Sequence, residues 1–79
     1  MEPFEIESVI RNAVDVDHVE VRNPQKDGVH FDALVVSSEF EGKSLIEQHR
    51  LVMSALSTHF ESALHALSLK TLTPKEWKK

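Results

Sequence analysis

His65-Ala66-Leu67-Ser68-Leu69-Lys70-Thr71-Leu72-Thr73-Pro74-Lys75-Glu76-Trp77 is the stretch on which the fold turns. From Leu67 to Lys70 apolar and polar residues alternate, which is the period of a strand with one buried face. Thr73 then offers an N-cap hydroxyl, Pro74 suits the first helical position, and Glu76 completes a Thr-x-x-Glu capping box. A short helical turn is therefore expected to follow the strand and carry Trp77 back toward the body. His65 stands at the head of the strand, where an imidazole sits on a rigid element and still faces a partner.

Working back from that stretch, Leu45, Ile46, Val52, Met53, Leu56 and Phe60 form an apolar stripe, with Leu51 to one side. They predict a long helix to about Thr58, capped by Ser44 with Glu47 three residues on. Before it, Phe40-Glu41-Gly42-Lys43 breaks the pattern, and Val29 to Ser37 reads as a strand. Its run Ala33-Leu34-Val35-Val36 suits a central position in a sheet. Val19 and Val21 alternate with polar neighbours in another strand, and the turn formers of Asn23-Pro24-Gln25-Lys26-Asp27-Gly28 join the two as a hairpin. Ile6, Val9, Ile10, Ala13 and Val14 predict a first helix from Pro3 to Ala13. A short extra turn is expected at 61–64. The order is helix, strand, strand, helix, helix, strand, then a capped turn: an α/β chain with a small three-stranded mixed sheet and helices on one face. Phe4 and Trp77 are expected to act as lids over the core.

Seventy-nine residues, 41% hydrophobic and 28% charged, suit one globular domain spanning 1–79. There is no cysteine, so the chain offers neither a disulfide nor a thiolate ligand. No apolar run approaches the ~20 residues of a membrane span, and the acidic start is unlike a signal peptide, so a cytoplasmic protein is expected. The net charge is -4, with residues 70–79 carrying +3 of lysine excess and residues 1–69 carrying -7. An acidic body disfavours nonspecific nucleic-acid binding. Ser37 and Ser38 lack a nucleophile elbow, and two glycines cannot build a phosphate loop, so an enzyme is not expected.

Five histidines remain as candidate ligands. His65 shares the parity of Leu67 and Leu69, so a structural role stays open for it. His30 shares the face of Asp32. His49 lies inside the apolar arc and is expected to pack or hydrogen-bond, while His18 and His59 read as surface residues.

Several segments together resemble the BolA family, and the absence of cysteine suits its bacterial IbaG-like branch. They are Gly28-Val29-His30-Phe31, Leu34-Val35-Val36-Ser37, Phe40-Glu41-Gly42-Lys43, Gln48-His49-Arg50-Leu51-Val52, His65-Ala66-Leu67-Ser68-Leu69 and Thr73-Pro74-Lys75-Glu76-Trp77. The resemblance implies a KH-like fold with the element order given above. It also implies a monothiol glutaredoxin partner sharing a [2Fe-2S] cluster, with a glutathione thiolate among the ligands. One ligand is then the histidine of the His-Ala-Leu segment, His65. The second, a cysteine or histidine before the second strand in the family, falls where this chain holds Asp27, which leaves His30 as the nearest imidazole. Arg50 and Lys70 are expected to contact the partner. The alternative that the resemblance carries is a nucleic-acid-binding transcriptional regulator, with Lys43 and Arg50 on the phosphates.

Overall fold

The computed structural model describes residues 2–24, 26, 30–59 and 67–78, the side chain of His59 excepted. Helix α1 (Pro3–Ala13) is followed by strands β1 (His18–Arg22) and β2 (Phe31–Val36) and a 3-10 turn (Ser38–Phe40). Helix α2 (Leu45–His59), strand β3 (Leu67–Leu72) and the single helical turn α3 (Pro74–Trp77) complete the order. Both capping boxes foreseen in the sequence form as the residue types dictate. At α2 the Glu47 N–H donates to Ser44 Oγ (3.2 Å) while the Ser44 N–H donates to Glu47 Oε1 (2.8 Å). At α3 the Glu76 N–H donates to Thr73 Oγ1 (3.3 Å) and the Thr73 N–H to Glu76 Oε1 (2.8 Å). Each box satisfies two amides that the helix itself cannot.

The sheet runs β1-β2-β3, with β1 antiparallel to β2 and β3 parallel to it. The apolar run of β2 occupies the central position, and the long α2 connection makes the parallel crossover. Ile6, Ile10 and Val14 of the α1 segment meet Val52 and Leu56 of α2 over Val19, Phe31 and Val35, and Phe40 closes the loop end of this core. The opposite face carries His18, Glu20 and Arg22 of β1 beside Val36, Leu34 and Asp32 of β2. The short turn expected at 61–64, with Phe60 and Val29, lies outside the described residues.

Three expectations about packing need correction. Phe4 is 68% exposed and Trp77 40% exposed, so neither closes the core. Trp77 instead stacks on the His18 ring (4.6 Å between centroids, 15° between planes), which folds α3 across one end of the open sheet face and half-buries His18. Leu45 and Ile46 are 61% and 65% exposed. The reason is the rotation of α2. Its inward line is Gln48, Val52 and Leu56, spaced four apart, which turns Ile46 out and brings Leu51 against the core, while Leu45, on the side of Gln48, is exposed as the first residue of the helix.

Gln48, buried among apolar residues, is satisfied on both sides. Its Nε2 donates to the carbonyls of Lys43 (3.0 Å) and Phe40 (3.3 Å), and its Oε1 accepts from Thr71 Oγ1 (2.7 Å). Thr71 is buried as well. Replacing Thr71 by Val keeps the volume and orphans the amide oxygen, so Thr71→Val is expected to lower the unfolding free energy by about 1–3 kcal/mol. Urea unfolding followed by circular dichroism checks this, and an unchanged midpoint contradicts it.

Candidate functional site

The starts of β2 and β3 lie side by side. The parallel register sets Phe31 opposite Leu67, and that pairing continues to Val36 opposite Leu72. His30 precedes β2 by one residue and is exposed. His65 precedes Leu67 by two positions in the chain and lies outside the described residues, as does Asp27. Between them, these positions put His30 at the strand start beside the one that His65 leads into. The chemistry of the donor set limits what such a pair can do. Without cysteine the chain offers only imidazole and carboxylate, whereas [2Fe-2S] clusters take four ligands dominated by thiolates, with two histidines replacing two cysteines on one iron in Rieske centres. Two neutral imidazoles therefore fit half of such a site, and the other half must be thiolate from outside. Among the described residues no three His, Asp or Glu side chains converge on a common metal position.

The other site candidates separate onto two surfaces. Lys43 and Arg50 line one groove along α2, reaching Ala13 at the end of α1, with Glu47 on the same wall. Lys70 belongs to the opposite, open face of the sheet, in a shallow groove with Glu20, Arg22 and Asp32. Arg50 and Lys70 thus flank the sheet from its two sides rather than forming one patch. The basic pair of this groove is partly answered by Glu47, whose carboxyl is held below its usual range. The backbone hydrogen bond at Ser44 is the main cause, followed by the Ser44 hydroxyl, with the charges of Lys43 and Arg50 adding to it and desolvation opposing. A nucleic-acid phosphate approaching Lys43 and Arg50 meets that carboxylate.

His49 is half-buried and lines a small apolar groove with Leu45, Ile46, Arg50 and Met53. It packs, as the apolar arc implies, but on the outside of α2. The carboxylates of Asp17 and Glu39 are exposed yet engaged. The Asp15 N–H donates to Glu39 Oε2 (2.6 Å), the Ser38 N–H donates to Asp17 Oδ2 (3.1 Å), and the Ser37 hydroxyl donates to the Asp15 carbonyl (2.7 Å). They tie the turn after β2 to the segment before β1. Gln48 was the residue least visible in the sequence. Its only signal is a polar side chain on the Val52 and Leu56 line.

A family model described as BolA-like protein matches residues 5–76. BolA-like protein 1 of Bos taurus is 38% identical over 80 aligned positions, covering 92% of this chain and 59% of that protein. Acid stress protein IbaG of Escherichia coli (strain K12) is 36% identical over 78 positions, covering 98% and 89%. The solved structure of a BolA homologue from Coxiella burnetii superposes with a TM-score of 0.78 at 38% identity, covering 100% of this chain and 99% of that one. The chain spans about three-fifths of the length of BolA-like protein 1.

Because the folded Glu47 carboxyl is lowered, its contribution to stability is full above the ordinary carboxylate value of about 4.3. It is lost as pH falls through the lowered folded value. The difference in unfolding free energy between the wild type and Glu47→Gln is therefore expected at neutral pH and should close in acid. A gap that stays constant between neutral pH and about pH 3 contradicts the assignment.

Proposed function

This chain belongs to the BolA-like family, the near end-to-end match with IbaG supporting its IbaG-like bacterial branch, and from that premise we propose that it is a non-enzymatic cytoplasmic partner of a monothiol glutaredoxin. The two proteins share a [2Fe-2S] cluster in iron-sulfur handling or iron regulation. This chain supplies His65 and His30, and the glutaredoxin cysteine and a glutathione thiolate supply the sulfur ligands. Arg50 and Lys70, on the two sides of the sheet, steer the partner.

The observation that carries the reading is the placement of an exposed imidazole, His30, at the start of β2, with the start of β3 paired beside it. Both strands are anchored in the core through Phe31, Val35 and the half-buried Leu67 and Leu69, so ligands at their starts stand on a rigid platform. The absence of any cysteine supports a site completed by a second protein. Bound there, the cluster would supply electron-transfer or iron-donor chemistry. The part of this chain is to present neutral imidazole nitrogen and to orient the partner.

Mixing the protein with a monothiol glutaredoxin, glutathione, iron and sulfide is expected to give a visible absorption spectrum distinct from that of glutaredoxin alone. His65→Ala is expected to return it to the glutaredoxin spectrum, and His30→Ala to weaken or shift the distinct bands. A spectrum identical to that of glutaredoxin alone in the wild-type mixture contradicts the proposal. Salt-sensitive oligonucleotide binding that falls in Lys43→Ala would then favour the nucleic-acid reading.

A further inference from the structure

Strand β3 ends the sheet, so one of its edges pairs with no strand among the described residues. The hydrogen bond from the Ser37 N–H to the Leu72 carbonyl (3.1 Å) fixes the parity of that edge. Leu72, and with it Lys70 and Ser68, turn their backbone groups toward β2. The N–H and C=O groups of Leu67 and Leu69 therefore point away from the sheet. No backbone bond to either is made by a described residue outside the sheet. An unpaired edge of this kind is a template for another strand.

Helix α2 overhangs the same edge. Gln48 is pinned to Thr71 by a 2.7 Å hydrogen bond, and α2 runs back along β3 from there. With ~1.5 Å of rise per helical residue against ~3.3 Å per strand residue, Val52 and Met53 stand above Leu69. Ala13 and Leu51 line the flank of α2 nearest α1. Leu45, Ile46 and His49 line the flank away from α1, Met53 lies between the two grooves, and by the same rise Leu45 and Ile46 stand level with Leu72. Leu45 and Ile46 are the most exposed aliphatic side chains there, and nothing in the core accounts for them. A row of outward backbone groups thus runs beneath an apolar ledge.

Charge selects what can lie there. On β3 and at the start of α3 the bases are Lys70 and Lys75, and Arg50 flanks the ledge; none of the three forms a salt bridge among the described residues. Against these three positive charges stand the carboxylates of Glu47 and Glu76, which keep their charge in the helix caps, so the margin retains a small positive excess. A cationic margin on a chain of net charge -4 favours an acidic partner segment and leaves a second copy of this chain as the poorer occupant.

We infer that the free edge of β3 from Leu67 to Leu72, roofed by Met53 near Leu69 and by Leu45 and Ile46 near Leu72, docks an extended aliphatic and acidic segment of a partner protein as a fourth strand. The inference rests on the adaptor reading only for the identity of that partner.

Amide hydrogen exchange, followed by NMR on the full chain, reads the edge residue by residue. Two probes are used: a capped peptide of alternating valine and glutamate, and an iron-free monothiol glutaredoxin with glutathione. In the free protein the Leu67 and Leu69 amides are expected to exchange far faster than those of Ser68, Lys70 and Leu72. Either probe is expected to slow them at least about tenfold, and the double variant Leu45→Asp, Ile46→Asp to abolish that protection. Phe4→Asp, an equally exposed apolar site on α1, should leave it unchanged. Protection by the peptide alone supports the surface and removes glutaredoxin as its occupant. A shared-cluster spectrum obtained while neither probe protects Leu67 and Leu69 overturns the surface and leaves the adaptor reading standing. Slow exchange at these amides in the free protein, whether constant or rising with its concentration, also overturns the proposal, since the edge is then already covered or taken by a second copy.

Discussion

The amide of Gln48 is the joint at which the loop after β2, helix α2 and strand β3 are held together. It donates to two loop carbonyls and accepts from Thr71, so the turn that leaves β2 and the strand that returns beside it are gripped by one side chain. Inside the apolar layer such a network admits one arrangement, because any slip leaves a buried donor or acceptor without a partner. The register of β3 against β2 follows from it. That register in turn sets the two strand starts side by side and lays the outer flank of α2 along the β3 edge. Site and docking edge thus depend on the same buried contact.

Much of this architecture was legible in local residue chemistry. The Pro3–Ala13 helix, the hairpin signalled by Asn23-Pro24, the central place of β2 and the Thr73 and Ser44 capping boxes rest on periodicity and short-range bonding, which a sequence carries directly. The rotation of α2 was less legible. Leu45 and Ile46 look like core by hydrophobicity, and Gln48 looks like surface, yet the structure reverses both. What decides is a tertiary bond to Thr71, twenty-three residues away, and no local pattern announces it. Trp77 shows the same limit. Its capped turn could be foreseen, but its stacking partner, His18, lies on the far strand of the sheet.

The candidate site is legible in part for a different reason. His30 can be placed, exposed and at a strand start, because its neighbour Phe31 is buried in β2. The resemblance, rather than periodicity, singles out His65. Arg50 and Lys70 read as two scattered charges in the sequence. They become meaningful only when the fold sets them on opposite sides of β3, where they bracket one edge. Lys43 and Arg50 do come together, but with Glu47 between them, a balance ill suited to a phosphate backbone.

In the proposed complex, imidazole nitrogen from this chain binds an iron-sulfur cluster whose sulfur ligands come from elsewhere. The most direct measurement is pulsed electron-nuclear spectroscopy on the reduced, paramagnetic complex with glutaredoxin, with nitrogen-15 placed only in the histidines of this chain. A strong nitrogen-15 coupling to the cluster, absent from glutaredoxin alone, is expected. A reduced complex in which that label produces no coupling would contradict the proposal.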